Sequence, residues 1–177
     1  MSNINFYIDI TDGKKSVFRS SLSFESMASL ISSMPDSSDY AEFYYYAAQN
    51  TSSQVRENVA YKDHLNSETV QLLASDLSIN VLRNLTRSSG FKKYGTNEQI
   101  LKFIDIDVEI AISIAANYEQ YENIDQEQVL KKLTKSVDPG VINSIVSNWS
   151  APKKIVKSFL NHNDLHVRAE AQRRMEQ

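Results

Sequence analysis

The sequence predicts an all-α chain of stacked two-helix repeats with a short β-hairpin at its start, and three observations lead there. Four Gly and three Pro in 177 residues are too few for the tight turns of a β-sandwich or barrel, and for a Pro/Gly-rich disordered chain. A content of 41% hydrophobic and 23% charged residues suits one compact domain that buries a core without disulfides or structural metals. Related apolar segments recur at intervals of 26, 29, 31 and 26 residues, counted between Val55, Val81, Ile110, Val141 and Val167, and a period of this size marks helical repeats.

Residues 1–50 read as an N-terminal cap. Asn5 to Ile10 and Ser16 to Arg19 are rich in β-branched and aromatic residues on either side of Asp12-Gly13, a dipeptide suited to a turn with positive φ, so a β-hairpin is expected over 5–19. Two strands alone are marginal in water, so the ribbon should pack on something helical. After Ser23, the residues Phe24, Met27, Ala28, Leu30 and Ile31 fall at helical spacing, and Met34-Pro35 ends a helix over about 24–33. Ser37 or Ser38 then caps a helix over about 39–49, which holds Tyr40, Phe43 and the run Tyr44-Tyr45-Tyr46.

The repeat follows. Val55 to Lys62, Val81 to Ser88, Ile110 to Asn117, Val141 to Asn148 and Val167 to Arg174 each place apolar residues at i and i+4, one face of a helix. Asp76, Asp105, Asp138 and Asp164 precede the last four and are expected to cap them. Between these first helices lie shorter second helices with the apolar pairs Val70/Leu73, Leu101/Ile104, Leu130/Leu133 and Val156/Phe159, after the caps Asn66 or Ser67, Thr96, Asp125 and Ser150. One helical pair cannot bury its own apolar face, but stacked pairs form a continuous core, so residues 51–177 are expected to form an α-solenoid.

Val55-Arg56-Glu57-Asn58-Val59-Ala60, the spaced Leu65, Val70 and Leu73-Ala74-Ser75-Asp76, and the following Val81 resemble the bacterial variant leucine-rich repeat, a short-period helical relative of HEAT repeats. The likeness runs over about residues 51–174, and Arg56 and Arg168 of the outer copies become Leu82, Ala111 and Ile142 between them. It implies a right-handed helical superhelix of HEAT-like repeats. The family includes an iron–sulfur module on Cys ligands, which a chain with no Cys does not carry. Its motif contains nothing catalytic.

Charge and composition then narrow the function classes. The formal net charge is −3, divided into 7 Lys+Arg against 10 Asp+Glu over residues 1–90 and 12 against 12 over residues 91–177, so no basic tail or domain points to tight nucleic-acid binding. Zero Cys excludes thiol nucleophiles and Cys-based zinc sites and fits a reducing cytoplasm. With no apolar run near the ~20 residues of a membrane span and no signal-like start, the expectation is a soluble cytoplasmic protein. His162 and His166 flank Asp164 but straddle a helix boundary, which disfavours a shared metal. Gly13, Gly90, Gly95 and Gly140 are isolated, each where a turn would use it, so no phosphate loop exists. Asp105 and Asp107 read as caps. No catalytic, metal or cofactor site is expected.

Two surfaces are candidates for partner binding. Three consecutive tyrosines span about 300° of a helix at 100° per residue, so they cannot all be buried. Phe43 with Ala47 and Tyr40 with Tyr44 form the inward stripe, which leaves Tyr45 or Tyr46 outward. Tyr40, Glu42, Tyr44, Tyr45 and Tyr46, with Asp36 and Asp39 around the run, thus make an acidic aromatic patch suited to a basic protein; the other reading is that the N-terminal hairpin covers these rings. Aligned second helices put Gln71, Lys102, Lys131 and Lys157 in one column, with Lys132, Lys135, Lys153 and Lys154 nearby; in HEAT-like solenoids this column would line the concave face. Trp149, at a turn, is expected to close a hydrophobic gap between repeats. The resulting expectation is a non-enzymatic protein-binding scaffold, in one version an inhibitor or immunity-type protein against a cationic toxin enzyme. The alternative is a nucleic-acid-binding module using the lysine column.

Overall fold

A computed structural model describes residues 4–177 and is mostly helical, with one two-stranded antiparallel sheet among the described residues. The chain divides into two units, one ending at Phe91 and one starting at Lys92.

In the N-terminal unit, β1 (Tyr7–Thr11) pairs with β2 (Ser16–Ser21). Gly13 takes φ +88°, and the Asp12 carboxylate accepts from the N–H groups of Lys14 and Lys15, both at 3.0 Å. Ile8 and Ile10 share a face with Phe18, the partner of Ile10, while the Arg19 guanidinium lies 4.4 Å from the Tyr7 ring centre on the other. Every strand residue is exposed. The ribbon buries no strand residue against a helix, and its lead-in residue Phe6 places its ring edge-on 5.7 Å from Phe43.

Ser23 caps α1 (Phe24–Ser33) by accepting from the Ser26 N–H. The helix stops where Met34 turns extended before Pro35, as the proline ring requires of the residue preceding it. Met27, Ala28 and Ile31 are buried, whereas Phe24 and Leu30, expected on the same face, are exposed. A 3₁₀ turn at Ser38–Tyr40 leads into α2 (Ala41–Ala47). Next come α3 (Ser53–Ala60), α4 (Ser67–Leu73), α5 (Ile79–Leu85) and α6 (Ser89–Tyr94), the last crossing the unit boundary. Helix α1 packs on α3, and α3 packs on α5. The buried register Met27-Ala28…Ile31 matches that of Val55-Arg56…Val59, 28 residues later. Each fully buried Val, Leu or Ile contributes about 1.5–3 kcal/mol by leaving water.

In the C-terminal unit the order is α7 (Asn97–Ile106), α8 (Val108–Asn117), α9 (Gln126–Leu133), α10 (Pro139–Ser147), α11 (Lys153–Ser158) and α12 (Leu165–Met175). Helix α10 packs between α8 and α12, and α7 packs on α8 and α9. Thr96 and Gln99 form a capping box on α7, and Asp125, Asp138 and Asp164 cap α9, α10 and α12. Asp107 rather than Asp105 caps α8, because Asp105 still belongs to α7, where it pairs with Lys132. Asp76 also caps no helix directly: Ser78 is the N-cap of α5, and the Asp76 carboxylate instead binds the Ser78 N–H at 2.8 Å and the Arg56 guanidinium. Helix α11 starts later than Ser150, after Pro152.

Polar contacts repeat with the helices. The Asn58 amide donates to the Ala28 carbonyl and that of Asn84 to the Glu57 carbonyl, while the Asn148 amide donates to Ala115 and Ala116 and Arg174 to Val146. These bonds span 27 to 33 residues, one repeat each. Arg56 and Arg168, equivalent in the sequence, each donate to the carbonyls six and five residues back: Asn50 and Thr51, and His162 and Asn163. Two glycines expected in turns are helical. Gly90 of α6 is buried because a Cβ there would lie 3.0 Å from Leu65 Cβ and 3.2 Å from its carbonyl oxygen, and Gly140 sits in the first turn of α10.

Candidate functional site

From Ser20 to Val55 the chain carries Glu25, Asp36, Asp39 and Glu42 and no Lys or Arg. The structure spends one of these carboxylates internally: Asp36 accepts from the N–H groups of Asp63 at 2.8 Å and His64 at 3.0 Å, and the His64 Nδ1 lies 3.0 Å away. Partial burial pushes the Asp36 carboxyl up, but the two N–H bonds and the imidazole outweigh this and hold it below its ordinary value. Asp39 and Glu42 are exposed, and their carboxylates have no hydrogen-bond or ion-pair partner among the described residues.

The tyrosines separate by their position on α2. Tyr44 points inward, 0% exposed, and its hydroxyl donates to the Pro35 carbonyl at 2.8 Å; burial raises its pKa, aided by the Asp36 charge. Tyr44 is therefore removed from the binding patch, because its ring is core and its polar tip is satisfied internally. Tyr40, Phe43 and Tyr45 are half-buried, and Tyr46 is 44% exposed with its ring edge-on to Tyr45 at 5.6 Å. Glu42, Tyr45 and Tyr46 stand at i, i+3 and i+4, so they share one face.

Of the second-helix column, Gln71 is half-buried on α4 in the N-terminal unit, and exposed Lys102, Lys131 and Lys157 stand on α7, α9 and α11 in the other. Lys131 lines both of two grooves. One groove of about 720 Å³ lies between α7 and α9, over Leu101, Ile104, Ala111 and Val137, with Lys131, Lys132 and Lys135 on its rim. The other, about 620 Å³, lies between α9 and α11, over Leu130, Pro152 and Ile155, with Lys131, Lys154 and Glu127 beside it. Lys102 and Lys157 are not among the lining residues. Sequence reasoning missed the aliphatic floors; its available signal was Val137, an apolar residue in the polar turn before α10.

The remaining candidates are structural. His162 Nδ1 accepts from the Asp164 N–H at 3.1 Å, while His166 is exposed on α12. Among the described residues no group of three or more His, Asp or Glu is placed to hold a metal ion. Trp149 does not close a gap: it is 65% exposed, with the Arg174 guanidinium 4.5 Å and that of Arg173 5.7 Å from a ring centre. Arg174 itself is buried and fills the space, its Nη1 donating to the carbonyls of Val146 and Asn148 at the end of α10.

These elements define a mostly helical protein whose distinctive surfaces are an acidic aromatic helix face and a pair of lysine-rimmed aliphatic grooves, chemistry suited to recognition. Comparison with family models, with curated proteins and with solved structures finds no match to this chain. No helix among the described residues is long and apolar enough to cross a membrane.

Proposed function

We propose that the chain is a non-enzymatic, protein-binding helical-repeat scaffold that holds a cationic protein segment against α2, the mode an inhibitor or immunity-type protein would use against a cationic enzyme. One observation carries this reading: Glu42, Tyr45 and Tyr46 share a face, beside unpaired Asp39, in a 36-residue stretch without Lys or Arg, Ser20 to Val55. Tyrosine offers stiff area and a face for cation–π contact with arginine, while the carboxylates supply steering and pairing. A HEAT-like α-solenoid, resembling variant leucine-rich repeats, is the proposed architecture. Its support is the set of polar bonds that each span one repeat and the packing of successive first helices within each unit.

A photo-crosslinking amino acid in place of Tyr46, expressed in the source cell, tests the function. It should trap one protein of basic composition, and the adduct should vanish when Glu42→Lys is added; the same probe in place of exposed Arg87 should not trap it. Recovery of no such protein from position 46 refutes the proposal.

A further inference from the structure

The lysine-rimmed grooves form a surface of opposite sign to α2, and they are independent of the reading above. We infer that the two grooves flanking α9 make up one site for an acidic amphipathic helix of a protein partner, lying across α9 with an aliphatic side chain in each groove.

The charge on the rims is uncommitted. Lys132 is held by Asp105, but the ammonium groups of Lys131, Lys135 and Lys154 have no ion-pair or hydrogen-bond partner among the described residues. Lys131 lines both grooves, so it stands on the ridge between them. A carboxylate placed above α9 would meet it, with Lys135 and Lys154 on either side.

The floors are aliphatic. Val137 is 99% exposed, an apolar side chain wholly in water at the mouth of the first groove, and covering it removes that cost. In the second groove Ile155 is half-buried and still partly in water, above Leu130, which is buried.

Spacing selects the helix. Grooves on opposite sides of one helix are separated by about its side-chain diameter, roughly 10–12 Å. Residues i and i+7 of a helix lie about 10.5 Å apart on one face, at 1.5 Å per residue. Acidic residues at i+3 and i+4 fall between those anchors, above Lys131. In an extended strand, side chains on one face recur about every 6.6 Å, which does not match this span in one step.

The same lysines would attract nucleic acid, but the lining favours a polypeptide: Tyr118, the one aromatic residue among the lining residues of these two grooves, is 1% exposed and offers no face on which a base would stack.

Selection from a random 18-residue displayed peptide library against the full chain tests the inference. Enriched peptides should carry Asp or Glu between aliphatic residues seven apart. Their affinity should fall at least about tenfold, the size expected when a central charge pair becomes repulsive, on Lys131→Glu and on Val137→Asp. Glu42→Lys and Tyr46→Ala should leave it unchanged, which separates this site from the α2 face. Lys131→Ala, a milder change with circular dichroism as the folding control, should lower affinity in the same direction. No enrichment, enrichment of peptides without the acidic pattern, or affinity insensitive to Lys131 overturns the inference. So does tighter binding of single-stranded DNA than of the selected peptides with the same loss on Lys131→Glu.

Discussion

Removing the Asp76 carboxylate should expose how much of the N-terminal unit depends on one buried ion pair. Arg56 Nε donates to Asp76 Oδ2 at 2.6 Å and its Nη2 to Oδ1 at 3.0 Å, while Nη1 serves the Asn50 and Thr51 carbonyls. The two side chains are 8% and 3% exposed. Asp76→Ala therefore leaves a buried guanidinium with only two carbonyls and also deprives the Ser78 N–H of its acceptor. Breaking a buried pair from one side costs about 3–5 kcal/mol, a large share of the roughly 5–15 kcal/mol that stabilises a typical domain. At roughly 2–4 °C per kcal/mol for a chain of this size, the melting temperature should fall by about 6–20 °C. Urea titration followed by circular dichroism measures the loss. Burial pushes the Asp76 carboxyl up, but Arg56 and the Ser78 N–H outweigh it and the folded pKa is lowered. The pair's contribution is thus complete above the unfolded carboxyl value, about 3.9, and is lost as pH falls through the lower folded one. The difference between wild type and Asp76→Ala should accordingly shrink in acid. The double variant Arg56→Met with Asp76→Leu removes both charges and should recover at least half the stability. A single-variant loss below about 1 kcal/mol, far under the 3–5 kcal/mol of a broken buried pair, or a double variant as unstable as the single one, would refute the reasoning.

Gly90→Ala puts a methyl 3.0 Å from Leu65 Cβ and 3.2 Å from its carbonyl oxygen, and overpacking of this kind should cost about 1–3 kcal/mol in a thermal melt. Tyr44→Phe deletes the bond to the Pro35 carbonyl and should cost about 1 kcal/mol, whereas Tyr46→Ala at the exposed end of the run should stay within about 0.5 kcal/mol of wild type. Asp36→Asn weakens the acceptor of the Asp63 and His64 N–H groups; because the Asp36 pKa is lowered in the fold, wild type should lose stability as pH falls through that value, and urea midpoints of the variant should vary less over the same range. Arg174→Ala removes the cation stacked on Trp149 and the donor to Val146 and Asn148. It should shift the tryptophan emission, and it should destabilise more than Arg174→Met, which keeps the buried stem and removes a guanidinium whose Nε has no hydrogen-bond partner.

Helices were legible wherever a buried stripe repeats in the chain: Val55/Val59, Ile110/Ile114 and Val141/Ile145 are all fully buried. The signal failed where tertiary contact, not local pattern, decides the state. Ser89-Gly90 reads as a turn, yet α6 forms because the missing Cβ admits Leu65 and the Ser89 N–H finds the Asp63 carboxylate. Asp76 looks like a cap, yet a buried arginine two helices earlier in the sequence claims its carboxylate. The likeness of α1 to the later helices was hidden because Met27 stands where Val55, Val81, Ile110, Val141 and Val167 open the recognisable segments.

The candidate surfaces show the same division between one-helix and two-helix information. Which face of α2 turns outward follows from 100° per residue, so Tyr46 and Glu42 could be found from the sequence, while Tyr44 could be placed inside but not satisfied until Pro35 was located. The grooves depend on the space left between α7, α9 and α11, a property no single helix encodes. A lysine column by itself is a solvated face. What changes its meaning is that Lys131 borders two aliphatic floors at once while Lys132, its neighbour, is already paired. Charge reversal at Lys131 and polarity at Val137 are for that reason the two changes that distinguish a recognition surface from ordinary helix exterior: on a plain exterior both would be silent.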